Sequence, residues 1–354
     1  MTPLARQLSR RIATSGPISI AEYMAECLLH PEHGYYATRD PLGAQGDFTT
    51  APEISQMFGE LLGLALAQAW IERSRPSPFV LAELGPGRGT LMADLLRATR
   101  IVPGFHAAAR IELVEASPAL RACQKKALGG HPAQWRNSMS ELGEGPLFLV
   151  ANEFFDALPI RQFTRAKDGW CEHRVALQEG RLSLALGAPA PVARLDHRLQ
   201  DVAPGEVVET RAPGESVAAE IGARIARSGG VAIVVDYGNW RSRGDTLQAL
   251  RGHRSEGILD NPGEADLSAH VDFEALALAA APARATRMIA QGTLLGRLGI
   301  GERARALAAT LQGAALENHT AAFHRLTGPD QMGNLFKAIA FYQAGGAPPP
   351  GFDP

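Results

Sequence analysis

The stretch Glu83-Leu84-Gly85-Pro86-Gly87-Arg88-Gly89-Thr90-Leu91 constrains this chain more than any other. An apolar run, Phe79-Val80-Leu81-Ala82, leads into it, and a helical pattern, Leu91 to Leu96, leads out. Strand, glycine turn and helix in that order make the nucleotide-binding corner of a doubly wound α/β sheet. Glycines let the backbone turn sharply and approach a ligand closely. The helix that follows aims its unpaired N–H groups at the turn, which suits an anionic group. The spacing is E-x-G-x-G-x-G, and Thr90 stands where the dinucleotide fingerprint has its third glycine. An acid two residues before the first glycine suits a ligand with an ammonium group. S-adenosylmethionine (SAM) has one and NAD does not.

The pattern around this corner extends it into a sheet. Residues 79–151 read as β-α-β-α-β-β, with strands at 79–84, 110–115, near 134–136 and at 147–151. Helices fall at about 90–99 and 117–128. Near-continuous apolar strands alternating with helices imply a parallel sheet covered on both faces. Segments 160–165, 170–177 and 181–186 are separated by Asp168-Gly169 and Glu179-Gly180, which read as hairpin turns. A helix near 215–228 and the strand Val231 to Asp236 resume the parallel pattern. Residues 239–270 read as loop. A helix near 272–281, a strand near 285–290, helices across about 293–326 and a strand near 335–342 follow. The expected organisation is an N-terminal helical segment with a cofactor-covering loop at 1–75 and a catalytic domain at 76–344. That domain carries insertions at about 160–210 and 239–284, and a tail follows at 345–354.

At the N-terminus, Leu4, Leu8 and Ile12 have the spacing of a packed helix face, which outweighs the faint transit-peptide look of Arg6, Arg10 and Arg11. Ser19 with Glu22 forms a capping box for the next helix. A net charge of −2 argues against nucleic acid held by a broad basic field. No apolar run approaches the length of a membrane span. Cys27, Cys123 and Cys171 are far apart and read as buried thiols, and no His stands at metal-ligand spacing, so no metal is expected.

Ligands of open α/β sheets bind at the carboxyl ends of the strands. Glu115 ends the second strand and is placed to accept ribose hydroxyls. Asn152-Glu153-Phe154-Phe155-Asp156 follows the fourth strand, where two carboxylates and an amide interleave with aromatics. Asp236-Tyr237 ends the fifth strand, and His270 and Asp272 precede a helix; these four are candidates for substrate binding. The irregular stretch Leu29–Pro52 is too long for a turn and suits a functional loop.

Taken together, these motifs resemble the MidA family, the class I SAM-dependent methyltransferases whose mitochondrial member is a complex I assembly factor. The resemblance rests on Ser19 to Met24, His30-Pro31 with Gly34-Tyr35-Tyr36, Gly46-Asp47-Phe48 with Thr50-Ala51-Pro52-Glu53, and Glu83 to Gly89. Asn152 to Pro159, Asp236-Tyr237-Gly238, His270 to Phe273, Gln291-Gly292 and Met332-Gly333 extend it over nearly the whole chain. It implies a seven-stranded Rossmann-like sheet whose last strand is antiparallel, and SAM as cofactor. It further implies arginine methylation of a protein substrate, symmetric dimethylation of a complex I subunit in the mitochondrial member. The residues expected at the cofactor are Glu83, Gly85, Pro86, Gly87, Gly89, Glu115, Gly46, Asp47, Thr50 and Asn152. Glu153, Asp156 and Asn152 are expected to carry the chemistry. Three rival readings stand beside it: an assembly factor that binds SAM without turnover, a small-molecule or nucleic-acid methyltransferase, and a dinucleotide oxidoreductase, which Thr90 disfavours. With this resemblance the expected setting is the bacterial cytoplasm, or the mitochondrial matrix in a eukaryote. The oligomeric state, a homodimer included, is open.

Overall fold

The structure is a computed structural model that describes residues 1–38 and 49–354. The chain forms two compact units, each assembled from three separate stretches. One comprises 49–155, 215–240 and 273–354; the other comprises 1–48, 156–214 and 241–272. In each unit, segments distant in sequence share a core.

The first unit is built on a mixed sheet. Its strands are β1 (Phe79–Leu84), β2 (Ala109–Val114), β3 (Ala133–Arg136), β4 (Leu147–Asn152), β5 (Gly230–Asn239) and β6 (Phe336–Tyr342). They lie in the order β3-β2-β1-β4-β5-β6. Strands β1 to β5 are mutually parallel, and β6 runs antiparallel to β5. Every residue of β1 and β4 is buried, as their apolar runs require. Strand order reverses between β1 and β4, so a crevice opens past their carboxyl ends. Helices Gln56–Glu72 and Thr90–Thr99 pack on the sheet through Phe58, Leu62, Leu66, Leu91 and Leu95. The strand expected near 285–290 is two short pieces, Arg284–Ala285 and Ile289–Ala290, both antiparallel to β6. Between them the Thr286 hydroxyl accepts the Ala340 N–H, in place of a backbone carbonyl. The helices expected across 293–326 are three: Gln291–Arg297, Ile300–Ala308 and Gly313–Thr327.

The second unit is antiparallel. Helix Pro3–Ser15 starts at an N-cap, Thr2, and buries Leu4, Leu8 and Ile12. Ser19 and Glu22 form the expected capping box of helix Ile20–Leu29. Strands Arg161–Ala166, Gly169–Gln178 and Arg181–Leu186 turn at the two glycines singled out from sequence, and Val207–Thr210 and the short Ile18–Ser19 complete the sheet. Residues 239–270 are not simply loop. Strands Gln248–Arg251, Arg254–Glu256 and Asp266–Ser268 form a small sheet, turning at Gly252-His253, both at positive φ. Its inward residues, Ala249 and Leu267, are too few to announce themselves among the surrounding polar residues. The cysteines also depart from expectation: Cys27 is buried, its thiol pushed up to about 12 by burial, but Cys123 is exposed and Cys171 partly so.

Candidate functional site

Gly85, Gly87 and Gly89 have φ of +60°, +52° and +85°, the left-handed region that only glycine enters without strain. A side chain on Gly85 would also meet the Phe154 ring at 2.9 Å. Pro86 accepts the Gly89 N–H, closing the turn at 2.7 Å, and Gly89 caps the helix that follows.

Glu83, at the end of β1, is only 3% exposed. One hydrogen bond comes from the Met92 N–H of the following helix, yet Oε2 has no partner. Burial, with Glu115 adding repulsion, pushes the Glu83 carboxyl up to about 8. An acid buried with an unanswered oxygen is costly to the ligand-free fold.

Glu115 follows β2. Its Oε1 accepts the Ser117 N–H at 2.8 Å, and its Oε2 accepts Gln124 Nε2 at 3.1 Å. Burial raises its carboxyl above the ordinary range. Gln124, fully buried, also donates to the Gly87 carbonyl and accepts from the Trp135 indole. It ties the glycine turn to Glu115. Nothing in its helical position at 124 marks it in the sequence.

After β4, the chain bends through Glu153, whose φ of +51° is strained for a residue with a side chain. The Glu153 N–H donates to the Val235 carbonyl at 3.0 Å. Its Oε1 accepts two N–H groups, from Ala51 and from Asn152 Nδ2, each at 3.0 Å. Asn152 Oδ1 is buried without a partner. Asp236, fully buried at the end of β5, accepts the Phe155 N–H on one oxygen and the Tyr237 N–H on the other, both at 2.9 Å. Asp236 thereby shapes the loop that carries Glu153. Thr50 caps the turn Ala51–Ile54, and Glu53 in that turn accepts the Thr90 hydroxyl. The turn is thus joined to both the glycine corner and Glu153. Gly46 and Asp47 lie outside the described residues.

In the second unit, burial raises the Asp156 carboxyl to about 6 against the opposing pull of Arg211. Arg211 donates to the carbonyls of Asp156, Leu158, Ala269 and His270. It stitches 156–158 to 269–270, a role the sequence did not signal. Asp272 accepts the Ser242 N–H at 3.0 Å. Among the described residues, no three His, Cys, Asp or Glu side chains gather as for a metal, and no helix is long and apolar enough to cross a membrane.

A parallel sheet reversing beside a left-handed glycine turn, with an acid at the carboxyl end of each of the neighbouring strands β1 and β2, defines an α/β nucleotide-binding enzyme of the methyltransferase kind. Residues 61–290 match the family described as "Putative S-adenosyl-L-methionine-dependent methyltransferase". The chain is 35% identical to "Protein arginine methyltransferase NDUFAF7, mitochondrial" of Mus musculus, over 96% of this chain and 84% of that protein. The protein of the same name from Danio rerio is 34% identical, over 94% and 85%. A likely methyl transferase of the COG1565 superfamily from Burkholderia thailandensis, bound to S-adenosyl-homocysteine, superposes with a TM-score of 0.80 at 30% identity. That match covers 96% of this chain and 92% of the other. The chain belongs to this family, and it is a SAM-dependent methyltransferase.

Proposed function

We propose that this enzyme methylates arginine in a protein substrate, with Glu153 serving the acceptor. The observation that carries the reading is the Glu153 carboxylate, fixed just past β4 by two N–H donors on a strained backbone. Strain held in place at a strand end is characteristic of a working group. The names of the relatives, protein arginine methyltransferases, supply the acceptor class.

The first unit's residues fit SAM. Glu83 offers a buried, unpartnered oxygen to its ammonium; Gly85 to Gly89 let the backbone approach; Glu115 offers acceptors to its ribose. Asn152 Oδ1 is a further unanswered acceptor there, Pro86 closes the glycine turn, and Thr50 caps the turn that Glu53 joins to Thr90. Bound SAM supplies an electrophilic methyl group on a sulfonium. The chain must do the rest. A guanidinium is a poor nucleophile because its charge is delocalised and persistent. Glu153 binds it and draws its charge toward one nitrogen, leaving another better able to attack; as the methyl group passes to that nitrogen and S-adenosylhomocysteine is left behind, the displaced proton goes to the Glu153 carboxylate. Holding that nitrogen in line is a positioning task, and positioning is where much of the rate comes from. Asp156 is a second acid in the same motif, its carboxyl already raised by burial. Tyr237, beside Asp236 on β5, is a further candidate acceptor contact of the first unit.

Two finer points belong to this reading. Arg284–Ala285 and Ile289–Ala290 taken as one interrupted strand make the sheet the seven-stranded class I form. The substrate is then a respiratory complex I subunit or its bacterial counterpart, met in the bacterial cytoplasm. The experiment is incubation of the enzyme with methyl-labelled SAM and lysate of the source cells, read by mass spectrometry. Labelled arginine in a discrete protein is expected. Label confined to small molecules, or no label at all, contradicts the reading.

A further inference from the structure

In the antiparallel unit, strands Arg161–Ala166 and Gly169–Gln178 pair with Phe163 opposite Glu172 and Arg165 opposite Trp170. Side chains alternate along a strand, so Arg161, Phe163 and Arg165 share a face with Trp170, Glu172 and Arg174. Beyond the next strand the chain stays against this ladder: the Gly187 N–H donates to the Glu172 carbonyl and the Ala190 N–H to that of Trp170. Together these segments line a half-open cavity of about 510 Å³, bordered by Arg161, Trp170, Glu172, Arg174, Leu186 and Val192 among others. That volume lies within the range of small-ligand sites.

Its polar lining is rich in donors. Glu172 Oε1 meets Arg161 Nε at 2.7 Å, and Oε2 meets Arg174 Nη2 at 3.0 Å. Both carboxylate oxygens are thus engaged, while each guanidinium has five N–H donors to offer. Two cations and one anion leave a net positive charge. Trp170 is 1% exposed, and its indole N–H has no hydrogen-bond partner. Buried tryptophans usually find one. The Arg165 guanidinium lies 5.5 Å from the ring centroid, so the indole is held rigidly. Phe163, Leu186 and Val192 also line the cavity and give it apolar surface, and the Arg161 guanidinium lies over the Phe163 ring at 5.1 Å.

We propose that this cavity is a second binding site, for a carboxylate carried on an apolar body. One negative charge balances the Arg161–Glu172–Arg174 cluster, whereas a phosphate monoester would set a second charge against Glu172. The spare guanidinium N–H groups supply directional donors, and the apolar lining takes the body of the ligand. The carboxylate can come from an acidic residue flanked by apolar ones in a peptide, or from a free small acid. The site stands on this unit's own residues and does not depend on which acceptor is methylated.

The test uses the full chain labelled with ¹⁵N, following its indole N–H resonances, with that of Trp170 assigned through Trp170→Phe. The probes are 4-phenylbutyrate and the blocked pentapeptide Ala-Leu-Glu-Leu-Ala; the controls are 4-phenylbutyramide and the peptide with Gln for Glu. A saturable shift of the Trp170 signal is expected with the carboxylates, about ten-fold weaker or more with the amides. Arg174→Gln and Arg161→Gln should each weaken binding by about ten-fold while the other indole signals hold their positions. Tighter binding of the peptide assigns the site to a protein segment, and tighter binding of phenylbutyrate to a free acid. Equal shifts from acid and amide, or an unmoved Trp170 signal at millimolar probe, overturn the proposal.

Discussion

Glu83 and Glu209 are both buried acids, one in each unit, and they are treated in opposite ways. Glu209 accepts from Gln162 Nε2, the Thr246 N–H and the Thr246 hydroxyl, with Ser242 at longer range. Its charge is answered from every side, and it clamps residues 242–246 to the antiparallel sheet. Glu83 has one donor and an oxygen facing nothing. Buried polar groups are nearly always satisfied, so one left open marks a place where a ligand completes the structure. In the antiparallel unit the Trp170 indole N–H is open too, as are Ser9 Oγ and Arg165 Nε, so the contrast lies between these two acids and not between the units as wholes. The contrast separates groups kept for stability from groups kept for binding.

The largest effect expected is at the glycine corner. Gly87→Val puts a branched side chain at φ +52° and into the ligand's approach, so affinity for S-adenosylhomocysteine should fall by at least about 100-fold. Unchanged calorimetric binding by a folded Gly87→Val protein would remove the turn from the cofactor site.

Glu83→Gln sharpens the contrast between the two acids, because two quantities should move in opposite directions. SAM affinity should drop by about 1.5–3 kcal/mol, the worth of a hydrogen bond to a charged group. The ligand-free protein should become more stable at alkaline pH. The Glu83 carboxyl is raised from 4.5 to about 8 on folding. Below 4.5 both states hold the proton; between there and about 8 the unfolded chain alone ionises, so stability falls as pH rises. Gln carries no such loss. Thermal melts across pH 5 to 8 should show the variant gaining steadily on the parent, and a constant offset between them would show that Glu83 does not titrate as described. At pH 7, SAM binding should also release a proton in the parent, seen as a dependence of binding heat on buffer ionisation.

Glu115→Ala should weaken SAM by a similar or smaller amount, about 1.5–3 kcal/mol, and part of the loss should pass through Gln124 and the Gly87 carbonyl. Parental affinity would return Glu115 to an ordinary strand-end acid. The smallest effect belongs to the other unit's surface. Asp201 faces Arg198, Arg241 and Arg243, and the latter two are well exposed. Arg243→Gln should cost at most about 1 kcal/mol in stability and leave SAM affinity alone.

The parallel sheet was legible because its strands are buried on both faces and read as unbroken apolar runs, as in Leu147 to Ala151. The capping box at Ser19 and the turns at Gly169 and Gly180 carry their own local chemistry, and they too were readable. What escaped depends on distant partners. The strands at 248–268 bury few residues and take their order from each other. Gln124 and Arg211 act through contacts far away in sequence, and an amide or guanidinium on a helix or strand end gives no sign of them. The strain at Glu153 was equally hidden, although the residue itself was picked out by its place after β4.

The most direct test of that residue is Glu153→Gln, which keeps the shape of the side chain and removes its charge. Single-turnover methyl transfer at saturating SAM should be compared with calorimetric affinity for S-adenosylhomocysteine, using the protein acceptor found by labelling. Transfer should slow by about 100-fold or more with affinity unchanged, because the carboxylate acts mainly on the reacting acceptor. A Glu153→Gln enzyme with parental rate and parental affinity would contradict the assignment and leave Glu153 as a strained support for the turn at Ala51.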